Sequence, residues 1–171
     1  MGEAGEQVAG RADVRDDTDM AGGSDVASAE ARTVVVIREI PHPPEKVWRA
    51  LTEPHLIAEW LAKTDFEAVT GHRFTVKITP QPGNSFAFDC EVRTVEHNKV
   101  LVYSWDSADA ESGKGLRSSV TWELTATTEG TLLRMEQSGF GPDQPLYYHG
   151  ARMGWPQFVA KLEALLCDGA G

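Results

Sequence analysis

The spacing of apolar residues changes along the chain and predicts a strand, two short helices, a series of strands and a long helix. Residues 33–40 form a β-branched run of strand length. Val47, Trp48 and Leu51 then recur at helical spacing behind two prolines, which a first helical turn tolerates. Pro54 begins a second short helix. Two helices are therefore expected directly after the first strand.

From Asp65 onward the period falls to two, which indicates antiparallel strands with one face turned inward. Turn residues divide the segment into five further strands, and residues 65–69 show a weaker pattern that would add one more. The apolar alternating positions are Phe74, Val76 and Ile78; Phe86, Phe88, Cys90 and Val92; Leu101, Tyr103 and Trp105; Val120, Trp122 and Leu124; and Leu133 and Met135.

The helical period returns near the C-terminus, where Trp155, Phe158 and Val159 begin an apolar stripe that continues to Leu166. Pro156 would clash with the preceding turn of a straight helix, so it marks either a kink or the helix start. This order of elements predicts an α+β fold in which a curved antiparallel sheet of six to seven strands wraps around a long C-terminal helix. The large residues between sheet and helix could form either a core or a pocket.

Composition separates an acidic tail, residues 1–31, from one domain, residues 32–168. The tail has no aromatic residue and carries −6 of the chain's net charge of −10, so it is expected to be disordered. The acidic balance argues against nucleic-acid binding. The absence of a long apolar run and of a signal peptide argues for a cytoplasmic protein without a membrane span. Cys90 and Cys167 are expected to be free thiols.

Several ordered motifs give the sequence a family resemblance. Residues 47–54, followed by Glu59, Trp60 and Leu61, resemble the opening helices of the START-like (SRPBCC) superfamily, in its branch of heat-shock ATPase activator homologues. Residues 71–74, residues 102–105 and the terminal helix also resemble that branch. The sequence departs from it at His72, where a second glycine is usual, and at Leu61, where a second tryptophan is usual.

The resemblance implies a helix-grip fold with a hydrophobic cavity between the sheet and the long helix. We expect that cavity to bind a hydrophobic, aromatic or lipid-like small molecule for transport, sequestration or resistance. A protein-interaction module that regulates a chaperone ATPase or another partner is the alternative, and a polyketide cyclase is a further one. The expected ligand-binding residues are Trp60, Phe74, Phe88, Tyr103, Trp105, Trp122, Met135, Arg152, Trp155 and Phe158.

Chemical motifs are sparse. The five histidines show no metal-ligand spacing, and the chain lacks nucleophile-elbow, P-loop and dinucleotide-binding patterns. His55 and Glu59 stand at i, i+4 on the second helix, which an exposed salt bridge explains better than a general-base pair. His149 and Arg152 could orient an anionic ligand or could simply be solvated. The sequence thus favours a non-enzymatic protein without metal or cofactor, although a cyclase could act through pocket shape alone.

Overall fold

The computed structural model describes residues 32–107 and 115–168, in which six strands and three helices follow in the predicted order. The elements are β1 (Arg32–Ile40), α1 (Pro44–Thr52), α2 (Pro54–Trp60), β2 (Arg73–Gln81), β3 (Asn84–Glu96), β4 (Val100–Ser107), β5 (Arg117–Ala126), β6 (Thr131–Phe140) and α3 (Pro145–Cys167). The predicted disordered tail, residues 1–31, lies outside the described residues.

All six strands form one antiparallel sheet in the order β1-β6-β5-β4-β3-β2. Strands β2 to β6 are joined as a meander, and β1 pairs with β6, so the first and last strands of the chain are neighbours. The sheet curves around α3. The predicted α+β helix-grip fold is therefore confirmed, with six strands.

Alternation along the strands decides which face meets the helix. In β1, Val34 and Val36 are buried, whereas Val35 and Ile37 are 43% and 50% exposed. The buried set of β4 to β6 continues this face across the sheet, because paired strands keep inward residues in register. One face of the sheet thus packs under α3 and the other faces solvent.

Each helix starts with a proline at its first position: Pro44, Pro54 and Pro145. Proline fits there because its fixed φ suits the helix and its missing N–H would have no helical partner. The indole Nε1–H of Trp60 donates to the carbonyl oxygen of Ala50 at 2.8 Å, which ties α2 to α1.

Helix α3 runs through Pro156, so of the two alternatives for this residue, a kink or the helix start, the helix start is wrong. The helix begins at Pro145, one turn after the sheet ends at Phe140. Pro156 leaves the carbonyl of Arg152 without its helical hydrogen bond. Burial of Trp155, Val159, Leu162 and Leu166 against the sheet and α1–α2 holds the helix together across this position.

Residues 65–69 form no strand, which removes the proposed seventh strand. Phe66 is nevertheless 2% exposed, and its ring lies edge-on to Phe74 at 5.0 Å and to Tyr103 at 6.1 Å. Its burial accounts for the weak apolar pattern of this segment. The Phe66 ring anchors the segment to the sheet through its contacts with β2 and β4.

The C-terminal end of α3 is fixed to α1 by Lys46. Its ammonium group donates to the carbonyl oxygen of Leu166 at 3.0 Å and lies 3.3 Å from Nδ1 of His42. The second ring nitrogen of His42, Nε2, is buried without a partner. Burial, and then the charge of Lys46, lowers the pKa of His42 below its ordinary value of 6.5.

This arrangement predicts a stability that depends on pH. The folded state binds a proton on His42 less readily than the unfolded state does. The contribution of neutral His42 to the free energy of unfolding is therefore fully present above about pH 6.5 and is lost as the pH falls below that value. Urea unfolding at pH 7.5 and pH 5.5 should therefore show a smaller acid loss for His42→Asn than for the natural chain. Equal losses in the two proteins would assign the acid sensitivity to other groups.

Among the residues described, no helix has the length and apolar character needed to cross a membrane.

Candidate functional site

A cavity of about 590 Å³ lies between α3 and the end of the sheet formed by β2, β3 and β4, and it opens to solvent. The apolar residues on its sheet side are Ile78, Phe86, Phe88, Trp105 and Leu116, and the polar ones are Lys77, Thr79 and Gln137. The rings of Phe88 and Trp105 stack at 5.0 Å, and Trp105 lies 5.2 Å from Trp155 of the helix. These stacked rings give the cavity a flat aromatic wall.

The helix side of the cavity is formed by a stripe of α3 at helical spacing. Its members are Tyr147, Gly150, Ala151, Gly154, Phe158 and Lys161. Small residues at three successive points of the stripe keep the helix backbone close to the cavity without filling it. A Cβ atom at Gly150 would have no atom within 4 Å, and one at Gly154 would meet only the ring of Phe158 at 3.6 Å. Space here results from missing side chains.

Glycine at position 150 destabilises the helix, although the backbone conformation there would accept other residues. It lies inside α3 without a positive φ, and an added methyl group would meet no neighbour. Gly150→Ala should raise the free energy of unfolding by about 0.5–1 kcal/mol, because alanine loses less backbone entropy in a helix. Urea denaturation measures this gain. A loss of stability would mean that the added methyl group collides with other atoms of the folded protein.

The buried end of the cavity carries a chain of polar groups centred on Gln137, which is 1% exposed. The indole Nε1–H of Trp155 donates to Gln137 Oε1 at 2.6 Å, and Gln137 Nε2 donates to Ser118 Oγ at 2.9 Å. Ser118 Oγ in turn donates to the carbonyl oxygen of Trp105 at 2.5 Å. This chain of hydrogen bonds links Trp155 on the helix to the backbone of Trp105 on the sheet.

Gln137 was not among the residues expected from sequence. A signal for it exists, because Gln137 continues the inward alternation of Leu133 and Met135 on β6. A polar residue at an inward strand position requires a buried partner or a ligand. Here the Trp155 indole and the Ser118 hydroxyl are its protein partners.

The structure brings four of the ten expected binding residues to the cavity wall: Phe88, Trp105, Trp155 and Phe158. Five others pack in the core outside that wall, namely Trp60, Phe74, Tyr103, Trp122 and Met135. Arg152 is exposed and does not line the cavity; its guanidinium lies 5.6 Å from the centre of the Tyr148 ring.

The core residues behind the wall form an aromatic cluster around Trp122. Its ring lies 5.6 Å from Trp60 and 5.9 Å from Trp155, and its Nε1–H donates to the hydroxyl of Tyr103 at 2.9 Å. Burial raises the pKa of Tyr103 well above its ordinary value. Tyr103 therefore stays protonated at neutral pH and acts as a packing residue.

Other candidate reactive groups are placed unfavourably for catalysis. Burial, with the nearby carboxylates of Asp106 and Asp89, raises the pKa of the Cys90 thiol, so this sulfur is not an activated nucleophile. His55 is exposed, and its nearest acidic partner is Glu53 at 3.7 Å and not Glu59. Within residues 32–107 and 115–168, no cluster of three or more metal-ligating side chains is present.

The curved sheet, the helix laid across it and the cavity between them define a START-like helix-grip protein. Residues 41–167 match the family described as Activator of Hsp90 ATPase homolog 1-like protein, and the chain belongs to that family. No curated protein sequence matches the chain significantly.

Solved structures support this assignment. Protein MLL2253 from Mesorhizobium loti is 58% identical, with a TM-score of 0.72, and the match covers 80% of this chain and 98% of that protein. DynU16, a protein of the dynemicin biosynthetic locus, is 30% identical with a TM-score of 0.66; the match covers 80% of this chain but 48% of DynU16. Protein CV1439 from Chromobacterium violaceum is 25% identical with a TM-score of 0.67, over 78% and 95% of the two chains.

Proposed function

We propose that this protein binds a hydrophobic, aromatic or lipid-like small molecule in the cavity between α3 and the sheet, in a cytoplasmic transport, sequestration or resistance role. The observation that carries the proposal is the cavity of about 590 Å³, with stacked aromatic rings on one side and small helical residues on the other. Ligand pockets are typically about 300–1,000 Å³ and mainly apolar, with few polar groups.

The construction of the helix side supports binding over simple core packing. Gly150 and Gly154 leave space where alanine would improve helix propensity. The apolar surface of a cavity that is open to water is unfavourably hydrated, and a ligand that covers this surface recovers hydrophobic free energy. Stacking on Phe88 and Trp105 would favour ligands with flat rings, and the remaining apolar wall would accept acyl chains.

Filling the cavity tests this proposal. Gly154→Phe places a ring into the space beside Phe158 and should lower ligand affinity at least about tenfold, since the aromatic wall is no longer accessible. Gly154→Ala is the matched control, because its methyl group has room, and its affinity should stay near that of the natural chain.

The measurement is thermal unfolding of the full chain against a panel of fatty acids, flavonoids and aromatic polyketides. A ligand at about 100 times its Kd adds about 2.7 kcal/mol to the folded state, which raises the Tm by several degrees. The rise should occur with the natural chain and Gly154→Ala and should be absent with Gly154→Phe. An equal rise in all three would place binding elsewhere, and no rise with any class would count against the proposal.

A second candidate is a protein-interaction role such as regulation of a chaperone ATPase. The family description names activation of the Hsp90 ATPase, and the edge strand β1 exposes Val35 and Ile37 on the face opposite to the core. The ATPase rate of a purified Hsp90-class chaperone should then rise when the protein is added. The rise should be lost in Val35→Asp/Ile37→Asp, and an unchanged rate with the natural chain argues against this candidate.

Polyketide cyclisation is the enzymatic candidate, and the similarity to DynU16 of the dynemicin biosynthetic locus favours it. A shaped pocket can promote cyclisation by holding a flexible chain in a reactive geometry. Incubation with a linear poly-β-ketone should then change the ratio of cyclic products relative to buffer. If Gly154→Phe gives the same products as the natural chain, the cavity is not where the cyclisation occurs.

A further inference from the structure

We propose that the ligand of this cavity is an organic anion whose apolar body lies along the aromatic wall and whose single anionic group pairs with Lys161 at the mouth. This inference rests on the proposed binding function and adds to it the charge and the orientation of the ligand. It is carried by the position of Lys161 on the cavity lining, by the charges around the cavity and by the lack of an ion-pair partner for Lys161 among the described residues.

Lys161 occupies the outer end of the helical stripe that lines the cavity. It follows Gly154 by seven residues, so the two lie on the same face of α3, and it borders the cavity while remaining exposed. Trp155, which meets Gln137 at the buried end, precedes Lys161 by six residues, which corresponds to about 9 Å along the helix. A compact aromatic molecule could therefore fill the wall and still reach the ammonium group.

The charged residues that the structure describes at the cavity are both basic. Lys161 and Lys77 belong to its lining, and no acidic residue among residues 32–107 and 115–168 does, although the whole chain carries a net charge of −10. Lys77 borders the cavity from the edge strand β2, whereas Lys161 lies on the helical stripe three residues after Phe158, on the same face of α3. We therefore assign the anionic group to Lys161. An acidic protein repels anions over most of its surface, so an anionic ligand binds more favourably next to a cation such as Lys161.

Lys161 forms no ion pair within the described part of the chain. Several arginines of the domain do lie beside carboxylates: Arg38 is 3.6 Å from Glu163, and Arg134 is 2.8 Å from Glu136. A ligand anion would supply the counter-charge that Lys161 lacks. Because the ammonium group is solvated, the expected gain is modest and depends on salt.

Two dyes that differ in one charged group test this directly with the full chain. The anionic probe is 8-anilinonaphthalene-1-sulfonate, and the neutral probe is N-phenyl-1-naphthylamine, which has the same rings without the sulfonate. Their Kd values are measured by fluorescence at low salt for the natural chain, Lys161→Gln, Lys99→Gln and Gly154→Phe. Lys99 lies in the turn between β3 and β4, does not line the cavity and provides the same change in net charge.

Lys161→Gln should weaken binding of the anionic dye about two- to fivefold and leave the neutral dye within about 1.5-fold, the range expected for one exposed ion pair. Lys99→Gln should change neither dye by more than about 1.5-fold. Raising the ionic strength to 0.5 M should remove most of the Lys161 effect. Displacement of the anionic dye by dodecanoate and by dodecyl phosphate then distinguishes a carboxylate from a phosphate ligand.

The possible failures are distinguishable. If both dyes bind the natural chain and lose binding in Gly154→Phe, but Lys161→Gln and Lys99→Gln affect the anionic dye equally, the cavity binds ligands and the anion assignment is overturned. If neither dye binds, or Gly154→Phe binds both normally, the cavity is not the binding site and both proposals are overturned.

Discussion

Trp122→Ala is expected to lower the free energy of unfolding by about 3–5 kcal/mol, the range seen when a large buried aromatic side chain is truncated. Trp122 is fully buried and contacts the rings of Trp60 and Trp155. Truncation removes those contacts and leaves the buried hydroxyl of Tyr103 without the donor that now reaches it at 2.9 Å. Urea unfolding of the full chain at pH 7.5 measures the loss.

Trp122→Phe is the matched variant, because it keeps a ring in the cluster and removes the indole N–H. Its loss should be less than half that of the alanine variant. Since Trp122 lies behind the cavity wall, Trp122→Phe should bind ligand with unchanged affinity, whereas Trp105→Ala removes a wall residue and should not. A loss below about 1 kcal/mol for Trp122→Ala would contradict its assignment to the core.

Gln137→Leu is expected to cost about 2–4 kcal/mol although leucine is apolar and of similar size. The substitution leaves the Trp155 indole N–H without an acceptor and removes the donor to Ser118, both in a buried region. A buried donor without a partner costs about 1–3 kcal/mol, which exceeds the gain from a more apolar side chain.

A double-mutant cycle with Trp155→Phe separates the hydrogen bond from packing. Once the indole N–H is absent, Gln137→Leu should be less harmful, with a coupling of about 1–2 kcal/mol between the two positions. The measurement is urea unfolding of the four proteins with a common m-value. Additive losses would show that the contact between Trp155 and Gln137 contributes nothing specific.

The two predictions concern adjacent parts of one aromatic assembly that have different roles. Trp122 belongs to the core, where rings fill space, and Trp155 links that core to the cavity through Gln137. Substitutions at Trp155 should therefore change both ligand binding and stability, whereas substitutions at Trp122 should change stability alone. Variants at Gly154 act on the cavity with least effect on the core, because that position carries no side chain now.

From Asp65 onward the alternation of apolar residues was sufficient to predict the strands, since a half-buried strand must place apolar side chains on one face. In β5, Val120, Trp122 and Leu124 are buried and the residues between them are not, as a period of two requires. The first strand was predicted from its β-branched run, which did not show which face is buried. The order of elements and the family motifs were sufficient for the helix-grip fold, which the family match and the sheet topology confirm.

Pro156 and Phe66 show where local patterns are ambiguous. A proline inside a helical stripe predicts a boundary, yet burial of Trp155 and Val159 on both sides outweighs the lost hydrogen bond and keeps α3 continuous. Phe66 gives residues 65–69 a strand-like pattern, but one buried side chain needs no strand pairing. Both outcomes depend on contacts with distant residues.

Where apolar and polar residues alternate, the sequence by itself determined which residues face inward, because periodicity follows from the local geometry of helices and strands. It did not determine which of those residues meet other side chains and which meet open space. Trp122 and Trp105 are both buried inward residues on the neighbouring strands β5 and β4, yet Trp122 is enclosed by Trp60 and Trp155 while Trp105 also borders the cavity. Only the tertiary structure decided this, because the open space depends on where the glycine-containing stripe of α3 crosses the curved sheet.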